Sequence, residues 1–247
     1  MISTYDVIIL ALSVVLSLGT VGVCLRQKCF LRYALLNLYL LVSAVFTLGC
    51  WYFIQTYGYE SAAYFYFYFT GDVIGTTIAY LVVASLFDQM FRQSIFRDYV
   101  RPTLAIFFFL VVGVSALAIS RSISQFSSVY TVFVTEFEQN MYFVGVLLTF
   151  LLWLSMMYLG AETRRFVLLV SGLGIYFTAH AASYAAIFLF RSVDPIATRA
   201  LPIAYNLMVL VWLYAFLVVP EGEPARELGR RRGWAALQVP VHENKTE

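Results

Sequence analysis

VIILALSVVLSLGTVGVCL, residues 7–25, carries no charged side chain and runs straight into Arg26, Lys28 and Arg32. As a helix rising 1.5 Å per residue, that length covers about 28 Å, close to the thickness of a bilayer's hydrocarbon core. The residues before it, Met1 to Asp6, contain no basic side chain. A cleavable signal peptide would carry its positive charge ahead of the apolar stretch. Here the charge follows, which is the pattern of a signal anchor that enters with its N-terminus outward.

Six further stretches repeat the theme, giving spans at about 7–25, 33–56, 62–90, 102–120, 139–160, 166–190 and 200–219. The third is long enough to tilt or to project past the headgroups. Composition agrees with this reading. Of the 247 residues 62% are hydrophobic and 12% charged, against about 25% charged in a soluble globular chain, and the mean hydropathy is +0.81. So few charges cannot cover a water-soluble surface. The expected fold class is an all-α membrane protein, a bundle of seven transmembrane helices over residues 1–219 with a short polar tail, residues 220–247. The tail is too short for a kinase, a cyclase or a nucleotide-binding domain.

The basic residues give the bundle a direction. Arg26, Lys28, Arg32, Arg92, Arg97, Arg101, Arg164 and Arg165 fall on the side that also carries the tail, with Arg226, Arg230, Arg231, Arg232 and Lys245. Only Arg121, Arg191 and Arg199 fall on the other, so no Lys or Arg is left inside a span. Cytoplasmic loops carry the excess of Lys and Arg. The N-terminus is therefore expected outside and the C-terminus in the cytoplasm, in a plasma or inner membrane. Trp51, Tyr52, Phe53, Tyr57 and Tyr59, followed by Tyr64 to Phe69, sit at the outer ends of the second and third spans as interface anchors. Arg230, Arg231 and Arg232 are expected at the anionic inner headgroups, where they set topology or dock a partner. The net charge of +2 gives no argument for nucleic acid. Residues 121–138 form the longest outer connection: an amphipathic surface segment, a hairpin or an extension of the fifth helix. The Asn244-Lys245-Thr246 sequon lies on the wrong side to be glycosylated.

Ionisable groups in mid-membrane are costly and mark functional sites by default. Two stand out, Asp72 about ten residues into the third span and His180 about ten residues from the outer end of the sixth. Their similar depth permits a contact between them. Asp72, Thr76 and Tyr80 share one helix stripe, as do Tyr176, His180 and Tyr184, with Ser183 alongside; Tyr205 and Asn206 enter from the seventh helix. Together these would make a polar patch in the outer half walled by aromatics, the character of a small-ligand site between helices. The alternative is plain packing, each polar group satisfied by an interhelical hydrogen bond. Asp88, Arg92, Asp98, Glu162 and Arg164 are read as solvated or paired charges at the inner ends, and Asn37 as bonding a neighbouring helix. Gly19, Gly22, the Ser171-Gly172-Leu173-Gly174 stretch and Ala179 to Ala186 are read as close helix contacts.

Cys24, Cys29 and Cys50 show no zinc or disulfide spacing. They are read as buried or interfacial thiols, with acylation of the inner pair a minor alternative.

Several chemistries lack their residues. Retinal needs a lysine in the seventh span, and no span has one. The two histidines, His180 and His242, do not furnish a metallohydrolase centre or paired haem ligands. Ser171 and His180 lie about 13 Å apart along one helix and cannot form a dyad. Neither G-x-S-x-G nor a P-loop is present. Internal repeats find no convincing residue-level match. Pro102 and Pro202 are placed near span ends, so the paired broken helices of many transporters are not expected. No cofactor or metal is implied. The leading expectation is a non-enzymatic module that binds or senses a small apolar or aromatic ligand and signals through a protein partner at the inner loops and tail. The alternatives are a small transporter or channel with an Asp72/His180 relay, and a structural subunit of a larger membrane complex.

Overall fold

The computed structural model describes residues 4–92, 97–119, 126–159, 163–190 and 194–220. These residues form seven α-helices, each long and apolar enough to cross a membrane: α1 (Thr4–Arg26), α2 (Ala34–Tyr57), α3 (Ala62–Met90), α4 (Arg97–Ile119), α5 (Phe126–Leu159), α6 (Arg164–Leu189) and α7 (Asp194–Val218). The tail from residue 221, with Arg230, Arg231 and Arg232, lies outside the described residues, as does the 121–125 part of the long connection.

Consecutive helices pack side by side, and α7 closes the ring against α1. α3 also packs on α5. That puts α3 nearest the middle, where Ala79, Val82 and Val83 are fully buried, and leaves α4 on the outside. α4 buries one stripe, Leu104, Val111 and Ser115, and presents Ile106, Phe109 and Leu117 outward, each at least 65% exposed.

The outward faces of the helices are apolar, as a lipid solvent favours, and the interior, itself largely apolar, also takes in polar side chains. Ser13, Ser17, Thr20, Thr149, His180 and Asn206 are all buried. Several hydroxyls are satisfied within their own helix, Ser13 Oγ donating to the Ile9 carbonyl at 2.9 Å and Thr20 Oγ1 to the Leu16 carbonyl at 2.8 Å. Such back-bonding lets a hydroxyl sit in a dry bundle without a partner on another helix.

Three features bear on the sequence expectations, and the glycines differ from them. α5 begins at Phe126, so of the three readings of 121–138 the extension of the fifth helix is the one found over 126–138. Its buried positions Val134, Phe137, Met141, Leu148, Leu152 and Met156 keep a three-or-four spacing across the old boundary, and this periodicity outweighs the local acids. Pro102 and Pro202 lie inside α4 and α7 and near the starts of the membrane-spanning segments Asp98–Leu117 and Arg199–Val218, as expected. Gly19 and Gly22 face outward, and a Cβ on either would touch nothing within 4 Å, so they are not contacts within the bundle. Gly172 is one, as argued below, while Gly174 has open space.

Ser61 caps α3, its Oγ accepting from the Tyr64 amide at 3.2 Å, and Thr163 caps α6 in the same way through Phe166. Both satisfy amides that the first helical turn leaves without partners. Between α2 and α3 the chain turns at Gly58 with φ +83° and ψ 163°, a region essentially closed to residues with a Cβ. Gly58 is exposed, so a substitution there reports backbone strain alone. Gly58→Ala is expected to destabilise the turn by about 1–3 kcal/mol, read as a lower unfolding midpoint in detergent. An unchanged midpoint would show that the turn relaxes freely.

Candidate functional site

The side of the bundle where α1 starts opens into a cavity of about 1210 Å³. Its walls follow from two helix stripes. On α2, Tyr39, Ser43, Phe46, Cys50 and Ile54 recur every three or four residues, and on α3 so do Tyr64, Tyr68, Asp72 and Thr76. This spacing keeps each set on one face. The two helices approach closely at Gly71, where a Cβ would lie 2.6 Å from the Phe46 ring. The Phe67 ring lies 5.2 Å from that of Phe46 by centroid, tilted to it, and stacks on Phe53 at 4.6 Å. α1 contributes Val7, Leu10 and Ser13, and α7 contributes Pro202 and Tyr205. Tyr142 from α5 and Tyr176 from α6 form the floor.

The floor is a hydrogen-bonded line of hydroxyls. Thr76 Oγ1 donates to Tyr142 OH at 3.3 Å, and Tyr142 OH lies 3.4 Å from Tyr176 OH. Tyr39 stands edge-on to Tyr176, with centroids 6.3 Å apart. Tyr205 OH lies 2.8 Å from Ser17 Oγ, which donates onward to the Ser13 carbonyl at 2.7 Å. Asp72, half-buried at the wall, meets the Tyr68 hydroxyl one turn earlier.

Behind this floor lies a second, closed polar layer. The His180 ring packs between two tyrosines, 4.4 Å from the Tyr142 centroid and 4.2 Å from that of Tyr176. Its Nδ1 sits 3.0 Å from the Tyr176 carbonyl. With Nδ1–H as the donor, Nε2 is left as the acceptor. Tyr184 OH donates to Glu138 Oε2 at 2.7 Å. Glu138 is 7% exposed and its Oε1 has no hydrogen-bond partner among the described residues. Glu138 and Asp72 are close enough to feel each other's charge.

The expected site residues therefore divide. Asp72, Thr76 and Tyr176 line the cavity. His180 and Tyr184 lie one layer behind it, beyond Tyr142. Asn206 is buried on α7, and its Oδ1 has no hydrogen-bond partner among the described residues. Tyr80 turns away altogether, its hydroxyl donating to the Leu104 carbonyl on α4. No hydrogen bond or ion pair joins Asp72 to His180 among the described residues. Asn37 also differs from its expectation. Its Nδ2 donates to the carbonyls of Phe30 and Tyr33 in the α1–α2 connection. Of the end charges, Asp88 pairs with Arg101 at 2.9 Å. All three cysteines are free; Cys24 and Cys29 are buried, and Cys50 lies in the cavity wall.

Sequence reasoning missed Glu138, left within the long outer connection, and Tyr39 and Tyr142 as wall residues, while Tyr205 was expected in the patch and lines the cavity. The signal for Glu138 was its place in the α5 periodicity, one residue from the buried Phe137 and four before Tyr142. Among the described residues no three His, Cys, Asp or Glu side chains come together as a metal site. The arrangement can enclose an apolar molecule and meet it with hydroxyls and one carboxylate. No known protein family matches the chain, and no curated protein or solved structure is similar to it.

Proposed function

We propose that the chain is a non-enzymatic, multi-pass protein of a plasma or inner membrane whose bundle binds a small ligand with an aromatic or apolar body. The observation that carries this reading is the cavity of about 1210 Å³. Ligand sites of this kind are concave, mostly apolar and supplied with a few polar groups that fix orientation. In the direction given by the arginines the mouth faces outward, where a ligand arrives from outside the cell. Occupancy would bias the packing of α3 against α5 and α6 through the Tyr142–Tyr176 floor, and a protein partner at the inner loops and tail would read the change. An Asp72/His180 proton or ion relay draws less support, because His180 is bonded to the Tyr176 carbonyl instead.

Gly75 supplies the test. It lines the cavity, and a Cβ added there meets nothing within 4 Å. Leucine at this position projects into the cavity from a Cβ that meets no neighbour and removes a glycine from a helix interior, a gain of up to about 1 kcal/mol. Aromatic compounds are screened by thermal unfolding of the purified protein in detergent. A ligand at a hundred times its Kd adds about 2.7 kcal/mol and raises the wild-type midpoint. Gly75→Leu is expected to keep its own stability and to lose that ligand-dependent rise. A rise of equal size in both proteins would place the binding elsewhere.

A further inference from the structure

We infer that the ligand of this cavity is an organic cation, its ammonium head beside Asp72 and its apolar body among the rings above. The inference rests on the binding reading just given and names the ligand class for the same site.

Among the described residues Asp72 is the one charged side chain lining the cavity, and no described Lys, Arg or His stands in its wall. Nine of the lining side chains are aromatic, and seven of those are tyrosines. Along α3 they form a track from mouth to carboxylate. Tyr59 precedes the helix, Tyr64 lies 5.1 Å from it by ring centroid, and Tyr68 lies 5.9 Å beyond Tyr64. Asp72 follows one turn on. A cation over the face of an aromatic ring is attracted by the ring quadrupole, and more strongly where water is excluded.

The three ligand charges then separate. An anion meets a carboxylate and no positive group. A neutral molecule leaves Asp72 in a low-dielectric wall with only the Tyr68 hydroxyl, and a buried charge without a counter-charge is costly. A cation supplies the charge the wall lacks, and the surrounding rings then strengthen the contact instead of opposing it. A bare inorganic cation fits less well. It needs six or so oxygens close about it, and a cavity of about 1210 Å³ built largely of rings does not bring them together.

The test is isothermal titration calorimetry on the full chain in lipid nanodiscs, with empty nanodiscs subtracted. The probes are (3-hydroxyphenyl)trimethylammonium and its uncharged carbon isostere 3-tert-butylphenol, which share a shape and differ in charge. The wild-type chain is expected to bind the cation at least tenfold more tightly. Asp72→Asn is expected to bring the two affinities within about threefold, with binding of the phenol by that variant reporting an intact cavity. Asp72→Glu, which keeps the charge, is expected to retain the preference. Equal affinities in the wild type, or a preference that persists in Asp72→Asn, overturn the cation assignment and leave the binding reading standing. Absence of binding by either compound to the wild-type chain overturns both.

Discussion

Gly172→Val is expected to cost about 3–5 kcal/mol of stability, the sum of overpacking and a lost buried hydrogen bond. A Cβ at Gly172 would lie 2.7 Å from Trp212 Nε1 and 3.4 Å from the Met208 backbone carbonyl. The carbonyl belongs to the α7 backbone and cannot step aside. Trp212 is fully buried and its Nε1 donates to the Leu169 carbonyl at 3.0 Å. Valine therefore drives the indole out of its slot and leaves the indole N–H and the Leu169 carbonyl without partners in a dry interior. Trp212 also stands edge-on to Tyr39, 6.2 Å between centroids, so the disturbance reaches the cavity wall. Gly174, two residues on, has open space around it. Gly174→Val is the control and is expected to stay within about 0.5 kcal/mol of wild type. Thermal unfolding of both variants in one detergent gives the comparison, and similar midpoints for the two would refute the close α6–α7 contact.

The second large effect is expected at Arg165. This arginine sits in the first turn of α6 and is only 3% exposed. Its Nε and Nη2 donate to the Val219 carbonyl at 3.2 and 2.6 Å, and Nη2 also to Gln27 Oε1 at 3.2 Å. Gln27 in turn donates to the Phe216 carbonyl, and the guanidinium carbon lies 5.5 Å from the Phe216 ring centre. One side chain thus ties the end of α1 to the end of α7. A cation at the C-terminus of α7 also meets the negative end of that helix dipole. Arg165→Leu strips these partners and is expected to lower stability by about 3 kcal/mol, the scale of hydrogen bonds to a charged donor plus the unpaired carbonyl left behind. Arg165→Lys keeps the charge and loses the fork, so its midpoint should fall between the other two. A leucine variant as stable as wild type would show that the α1–α6–α7 tie contributes nothing.

Arg165 also shows where a sequence stops speaking. Counted among the loop charges, it reads as a headgroup-level arginine. Which way the first turn of α6 faces is set by its neighbours, and hydropathy carries no such information. The seven helices were readable because charge-free runs of spanning length have few other uses. Their expected direction across the bilayer rests on sequence alone, on the split of Lys and Arg between the connections and the uncharged entry of the first span. The start of α5 was not readable from hydropathy, because Ser127, Ser128, Glu136 and Glu138 lower the local average while the buried positions go on recurring at helical spacing. At the candidate site, four-residue spacing correctly grouped Asp72 with Thr76 but carried Tyr80 along, although two further turns had already rotated that face toward α4. The same rule grouped Tyr176, His180 and Tyr184. Only the packing of Tyr142 across them separates the residue that lines the cavity from the two behind it.

The central claim, that a ligand occupies the cavity between α1, α2, α3 and α7, is tested most directly by photo-cross-linking. A benzophenone bearing a trimethylammonium group is irradiated with the protein in nanodiscs, and the modified residues are located by mass spectrometry. The account predicts adducts on cavity residues such as Leu10, Phe46, Tyr68 and Pro202, all diminished in Gly75→Leu. Adducts confined to the outward faces, such as Phe109 and Leu117 of α4, and unchanged in that variant would contradict it.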